Sequence, residues 1–186
     1  IKGIINKVSP DEIYNLAAQS HVQNSRNDPE GTTVSNALGV IRLLEELRKH
    51  GRNVRIYQAS SSEMFGSTAP PQNENSCFSP TNPYACAKAF AFWMVRNYRR
   101  ENGLFACNGI LFNHESPRRG DQYVTRKITS SLALILAGKL DHITLGNLAS
   151  KRDWGFAPEY VKMMWKMMQM PADDYVIGTG RTHSVR

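Results

Sequence analysis

Tyr84 and Lys88 stand four positions apart in Pro83-Tyr84-Ala85-Cys86-Ala87-Lys88. On a helix that spacing puts a phenol and an ammonium on one face. An ammonium beside a phenol stabilises the phenolate and draws the tyrosine pKa below its usual ~10. The result is a base able to take a hydroxyl proton near neutral pH, and the same lysine can hydrogen-bond ribose hydroxyls. Spacing alone is not distinctive, because Tyr123 and Lys127 repeat it. Tyr84 is set apart by what precedes it: a strand ending in Ser60-Ser61-Ser62-Glu63 and a loop long enough to bring the helix back to that strand end. If extended backbone persists past Ser60, Ser61 and Glu63 point to one side, and a hydroxyl and a carboxylate converge on one ligand. The competing reading has Ser60–Ser62 capping a turn and Glu63 in solvent.

A second polar segment, Asn113-His114-Glu115-Ser116-Pro117-Arg118-Arg119-Gly120, follows another apolar run and carries adjacent arginines suited to phosphate. Its composition also fits an ordinary surface loop. No G-x-S-x-G elbow is present, which disfavours a serine hydrolase.

The elements that must position these groups follow from periodicity. Strands are predicted at Glu12–Ala17, Val54–Ser60, Ala106–Phe112, His142–Leu145 and Tyr175–Thr179. Helices are predicted at Thr32–His50, Pro83–Asn102, Val124–Ala137 and Ala157–Met170. Asn24–Gly31 reads as a polar turn, and Ser61–Asn82 and Asn113–Gly120 as loops. The Met-rich helix VKMMWKMMQM is too short to span a bilayer and reads as core-facing. Strands alternating with helices imply an α/β fold with a parallel sheet, whose ligands collect beyond the carboxyl ends of the strands.

The chain has 186 residues, 41% hydrophobic and 21% charged, ordinary for a globular protein. It begins at Ile1 and stops at Arg186 without a tail-like composition, so both ends are read as cuts through a longer protein. No apolar run approaches membrane-spanning length, and no signal segment is seen. The three cysteines form no C-x-x-C, and the five histidines are scattered, so neither a disulfide scaffold nor a metal site is expected, and a reducing cytoplasm fits. The net charge of +7 comes in small groups (Arg48, Lys49 and Arg52; Arg96, Arg99 and Arg100; Arg118 and Arg119) without interleaved aromatics. Such groups suit a phosphorylated small molecule, or a solvated surface, better than nucleic acid.

At these residues the sequence resembles the extended short-chain dehydrogenase/reductase family along its whole length. Asn15-Leu16-Ala17-Ala18 with Val22, Asn36-x-x-Gly39, Ser60-Ser61-Ser62-Glu63-Met64-Phe65-Gly66 and Pro83-Tyr84-x-x-x-Lys88 carry that likeness. NGILFNHESPRRG (Asn108–Gly120), VTRKI (Val124–Ile128) and LGNL-x-x-KRDWG (Leu145–Gly155) closely resemble the GDP-mannose 4,6-dehydratase family within it. The resemblance implies a Rossmann-like, doubly wound parallel sheet, incomplete at the N-terminus, with part of a smaller C-terminal substrate-binding domain. Residues 1–120 would be the later part of the NAD(P)-binding domain, and 121–186 a partial substrate domain interleaved with late Rossmann elements.

The implied reaction is a redox-neutral dehydration of GDP-mannose to GDP-4-dehydro-6-deoxy-mannose with tightly held NADP. Hydride leaves C4 and returns to C6. Tyr84 would deprotonate the C4 hydroxyl, Ser61 hydrogen-bond the C4 oxygen, and Lys88 hold the cofactor ribose. Glu63 would remove the C5 proton and help expel the C6 hydroxyl as water. Leu16, Ala17, Ala18, Gln19, Ser20, His114 and Arg119 would contact NADP, and Asn113, Lys127 and Arg152 the nucleotide sugar. A homo-oligomer is implied for the full-length form. Ser61 stands where the family has Thr and keeps the hydroxyl, whereas Gly31 and Phe156 replace a Tyr and a His. The Gly-rich pyrophosphate loop, G-x-x-G-x-x-G, does not occur in the chain. A GDP-4-keto-6-deoxymannose reductase or a nucleotide-sugar epimerase would share the Tyr-Lys pair. A non-catalytic dinucleotide-sensing module is the reading from another class.

Overall fold

Four parallel strands form the central sheet of a computed structural model that describes residues 1–51 and 53–186. Arg52, one of the first basic group, lies outside the described residues. The strands are β1 (Glu12–Asn15), β2 (Arg55–Ala59), β3 (Ala106–Leu111) and β7 (Asp174–Ile177), in spatial order β1-β2-β3-β7. All six residues of β3 and the central three of β2 are buried, as expected of parallel strands covered on both faces. This is the α/β architecture with a parallel sheet expected from the alternation of elements, in the Rossmann-like form that the family resemblance implies.

Two compact units divide the chain. The first comprises Ile1–Leu111 and Met163–Ile177, the second Phe112–Lys162 and Gly178–Arg186. The boundary expected from sequence lies at 120, whereas these units follow chain packing: Met163–Ile177 joins the first because β7 pairs with β3.

In the first unit, α1 (Lys2–Val8) and α2 (Val22–Asn27) precede a long helical stretch. It runs through α3 (Pro29–Thr33), a π-helical turn (Val34–Leu38) and α4 (Gly39–His50), and Gly51 ends it in the left-handed conformation. Helix α5 (Pro83–Asn102) starts with Asn82 as its cap and Pro83 in its first turn. Val40, Leu44 and Leu47 of α4 meet Ala91, Val95 and Tyr98 of α5 over Ile56 and Ala106 of the sheet, forming the core. The Met-rich helix α7 (Ala157–Met167) and the turn after it bury Met164, Met167 and Met168, as its spacing predicts.

The second unit holds α6 (Val124–Leu136) and two small sheets. β4 (Asn113–Glu115) pairs with β6 (Trp154–Phe156), and β5 (Lys151–Arg152) with β8 (His183–Ser184). Asn113–Glu115, expected as loop, is therefore a strand, because it pairs in parallel with Trp154–Phe156. His142–Leu145, expected as a strand, has no strand conformation.

Candidate active site

The catalytic candidates of the first unit gather at the carboxyl end of β2. The strand stops at Ala59, and Ser62–Met64 form a 3-10 turn, so extended backbone does not persist to Glu63 as one reading required. Ser61 remains extended, and its Oγ accepts from the Glu63 N–H at 3.2 Å, capping the turn. Ser61 therefore meets the main chain of Glu63 as a cap, as the turn-capping reading expected, and strand alternation does not set the two side chains. Ser60 is structural here: its Oγ donates to Asn108 Oδ1 of β3 at 3.1 Å.

The connection from Glu63 to α5 is a closed excursion. Ser79 N–H donates to Met64 O, and Ser67 N–H to Ser79 O, each at 3.1 Å. Gly66 sits at the crossing with φ +54°, where a Cβ would lie 1.8 Å from Ser79 O. Only glycine meets both demands. Phe78 packs edge-on against Phe92 of α5, ring centroids 4.8 Å apart, and tilted against Phe65 at 5.4 Å. These contacts return the first turn of α5 to the strand end.

On α5, Tyr84 and Lys88 are both buried, 8% and 3% exposed. Lys88 Nζ lies 5.8 Å from the Tyr84 ring centroid and donates to Ala59 O at 2.7 Å, so the ammonium is anchored on the last residue of β2. Burial pushes the Lys88 amine down to about 8. It therefore keeps its charge in most molecules at neutral pH.

Asn82, which composition and spacing did not single out, joins the two halves of the site. Its Oδ1 accepts from Ala85 N–H at 2.9 Å, and its Nδ2 donates to Glu63 Oε2 at 3.3 Å. The helix start at Pro83 is legible in sequence. The bond to Glu63 spans a loop and is not.

Leu16–Ser20 leave the carboxyl end of β1. Asn36, buried in the π-helical turn, brackets Gln19: its Oδ1 accepts from Gln19 N–H and its Nδ2 donates to Gln19 O, each at 2.8 Å. The Gln19 amide donates in turn to Thr32 Oγ1 and His21 O. Gly31 lies in the first turn of α3, where its N–H donates to the capping Asp28 carboxylate.

The remaining candidates belong to the second unit. Asn113 and His114 lie on β4; the His114 ring stacks on Tyr160, centroids 4.8 Å apart, and its Nδ1 is 2.8 Å from Phe112 O. Arg119 pairs with Glu115 at 3.1 Å and lies over the Tyr123 ring, 3.7 Å from its centroid. Lys127 Nζ donates to Thr144 O at 2.6 Å. Arg152 is exposed on β5, and its guanidinium donates to Lys151 O at 2.8 Å. Beside it, buried Asp153 accepts from Thr179 N–H and Oγ1–H and from Gly180 N–H, all within 3.1 Å, and fixes the turn after β7. Among the described residues no group of three metal-binding side chains occurs, and no helix is long and apolar enough to cross a membrane.

Solved structures share this fold. RMD from Pseudomonas aeruginosa complexed with NADPH superposes with TM-score 0.88 at 24% identity, over 95% of this chain and 62% of that one. UDP-glucose 4-epimerase from Thermotoga maritima with UDP-glucose superposes with TM-score 0.87 at 25% identity, over 99% and 60%. They define the class by fold, as Rossmann-like α/β proteins.

Sequence narrows the class. The family model for GDP-mannose 4,6 dehydratase matches residues 1–186, and the chain belongs to that family. It is 56% identical to GDP-mannose 4,6 dehydratase of Drosophila melanogaster over 98% of this chain and 47% of that protein. To GDP-mannose 4,6 dehydratase 2 of Arabidopsis thaliana it is 55% identical, over 97% and 50%. The chain thus spans about half the length of these relatives.

Proposed function

We propose that the full-length protein dehydrates GDP-mannose to GDP-4-dehydro-6-deoxy-mannose, with NADP as its cofactor. The observation that carries this reading is the meeting of Ser61, Glu63 and the Tyr84–Lys88 face of α5 at one strand end, in a chain of the dehydratase family.

The residues present fit their share of a nicotinamide cofactor. An ammonium has three N–H donors, and Lys88 turns one to Ala59 O, so others can meet ribose hydroxyls. Asn36 holds Gln19 at the strand end where Leu16–Ser20 would line the same ligand. His114 and Arg119 are assigned to that cofactor, and Asn113, Lys127 and Arg152 to the nucleotide sugar, with Arg152 at the diphosphate. When bound, such a cofactor supplies reversible hydride acceptance. Tyr84 takes the C4 hydroxyl proton, helped by the Lys88 charge, while Ser61 hydrogen-bonds the C4 oxygen. With a carbonyl at C4, the C5 proton is acidic. Glu63 removes it and assists departure of the C6 hydroxyl as water.

Free thiols at Cys77, Cys86 and Cys107 support a reducing cytoplasm, and exposed Phe90 and Trp93 on α5 support a homo-oligomer. The test is GDP-mannose turnover by the full-length protein and its Glu63→Gln variant. The variant is expected to lose about 100-fold or more. Undiminished turnover by Glu63→Gln would remove the assigned base.

A further inference from the structure

We infer that Asn82 is a positioning residue for the elimination step, acting through Glu63; the inference rests on the dehydratase reading above. Asn82 is 7% exposed and carries a bipolar side chain whose two ends are committed to different elements. Its carbonyl end is fixed by the helix start, because Oδ1 accepts from Ala85 N–H at 2.9 Å. Its main chain is fixed as well: the residue is extended, Pro83 follows, and Asn82 O accepts from Cys86 N–H at 3.0 Å. With one end of the planar amide pinned, the NH2 end has one direction left, and there it meets Glu63 Oε2 at 3.3 Å. Glu63 is held on its other side through the 3-10 turn that Ser61 caps.

The same side chain therefore sets the start of the helix bearing Tyr84 and the orientation of the carboxylate that must reach C5. A base acts only when held within hydrogen-bond reach of its proton, so a side chain that rotates out of line loses rate without losing ligand. An ordinary cap needs only the acceptor. Ser and Asp serve a helix N-terminus about as well as Asn. Neither presents the amide donor: Ser is too short to bridge to Glu63, and Asp faces one carboxylate with another.

Asn82→Ser, Asn82→Asp and Asn82→Ala in the full-length protein separate these roles. One readout isolates Glu63: exchange of the C5 proton of GDP-4-dehydro-6-deoxy-mannose into deuterated water, followed by mass spectrometry. Here the base takes the proton alpha to the C4 ketone and returns deuterium. The accompanying readouts are kcat and KM for GDP-mannose, NADP binding by fluorescence, and thermal unfolding. The expected result is C5 exchange and kcat reduced at least tenfold in all three variants, with KM and NADP binding unchanged. The unfolding temperature should fall in Asn82→Ala, which loses the cap, and in Asn82→Asp, where two carboxylates face each other, but not in Asn82→Ser. Wild-type exchange in Asn82→Ser and Asn82→Asp, with a defect confined to Asn82→Ala, would reduce Asn82 to a helix cap and overturn the assignment alone. A wild-type protein that neither converts GDP-mannose nor exchanges the C5 proton would overturn the functional reading and this assignment with it.

Discussion

Replacing Lys88 by Met should stabilise the protein near neutral pH, and the gain should vanish as pH rises. The ammonium is 3% exposed, and burial lowers its pKa from 10.5 to about 8. The folded state therefore binds this proton less well than the unfolded state, and the burden falls on the folded state wherever the unfolded amine is charged. The cost is full below the folded pKa, declines between about 8 and 10.5, and is gone above. From those two values it is about 3 kcal/mol at pH 7, about 2 at pH 9 and under about 0.5 at pH 10.5. Lys88→Met keeps the stem but loses the bond to Ala59 O, a loss of about 1 kcal/mol. The net gain is then about 2 kcal/mol at pH 7 and about 1 at pH 9, with a slight loss near pH 10.5. The assay is urea unfolding of full-length wild type and Lys88→Met, both freed of nucleotide and compared at matched pH so that other titrations cancel. A difference that stays constant with pH, or grows with it, would refute the argument. The variant should have little turnover, since the charge beside Tyr84 is removed.

Three other perturbations have definite expectations. Asp174, whose side chain is 7% exposed, pairs with Arg99 at 3.0 Å and Arg96 at 3.3 Å and accepts from Asn108 at 2.8 Å; Asp174→Ala should cost about 3–5 kcal/mol in urea unfolding. Gly66→Ala places a methyl against Ser79 O at positive φ and should cost about 3 kcal/mol, with turnover falling as Glu63 is displaced. Asp153→Ala removes the acceptor of the Thr179 and Gly180 N–H groups; amide exchange at 179 and 180 should accelerate by about tenfold or more while the central sheet stays protected.

Local rules made the helix of Tyr84 and Lys88 legible. Pro83 in the first turn and Gly103 as stop bound it, and Tyr84 and Lys88 do share its buried face, whereas Asn82 reads in sequence only as the end of the preceding loop. The sheet was legible because buried parallel strands read as short apolar runs. What escaped depends on distant partners. Asn113–Glu115 is a strand only through Trp154–Phe156, and polar α2 is helical while its sequence, VQNSRN, favours turns. Convergence of the Ser61 and Glu63 side chains was expected from strand alternation, but the strand ends at Ala59 and Ser61 instead caps a 3-10 turn through the Glu63 N–H. The bond from Asn82 to Glu63 could not be read at all, because the folded loop around Gly66 and Phe78 creates it.

The central claim is that this site carries an elimination with internal return of hydride. GDP-mannose deuterated at C4, converted by the full-length protein, should give a product lighter by one water with the deuterium at C6. A product epimerised at C4 with no water lost, or a dehydrated product without the label, would contradict it.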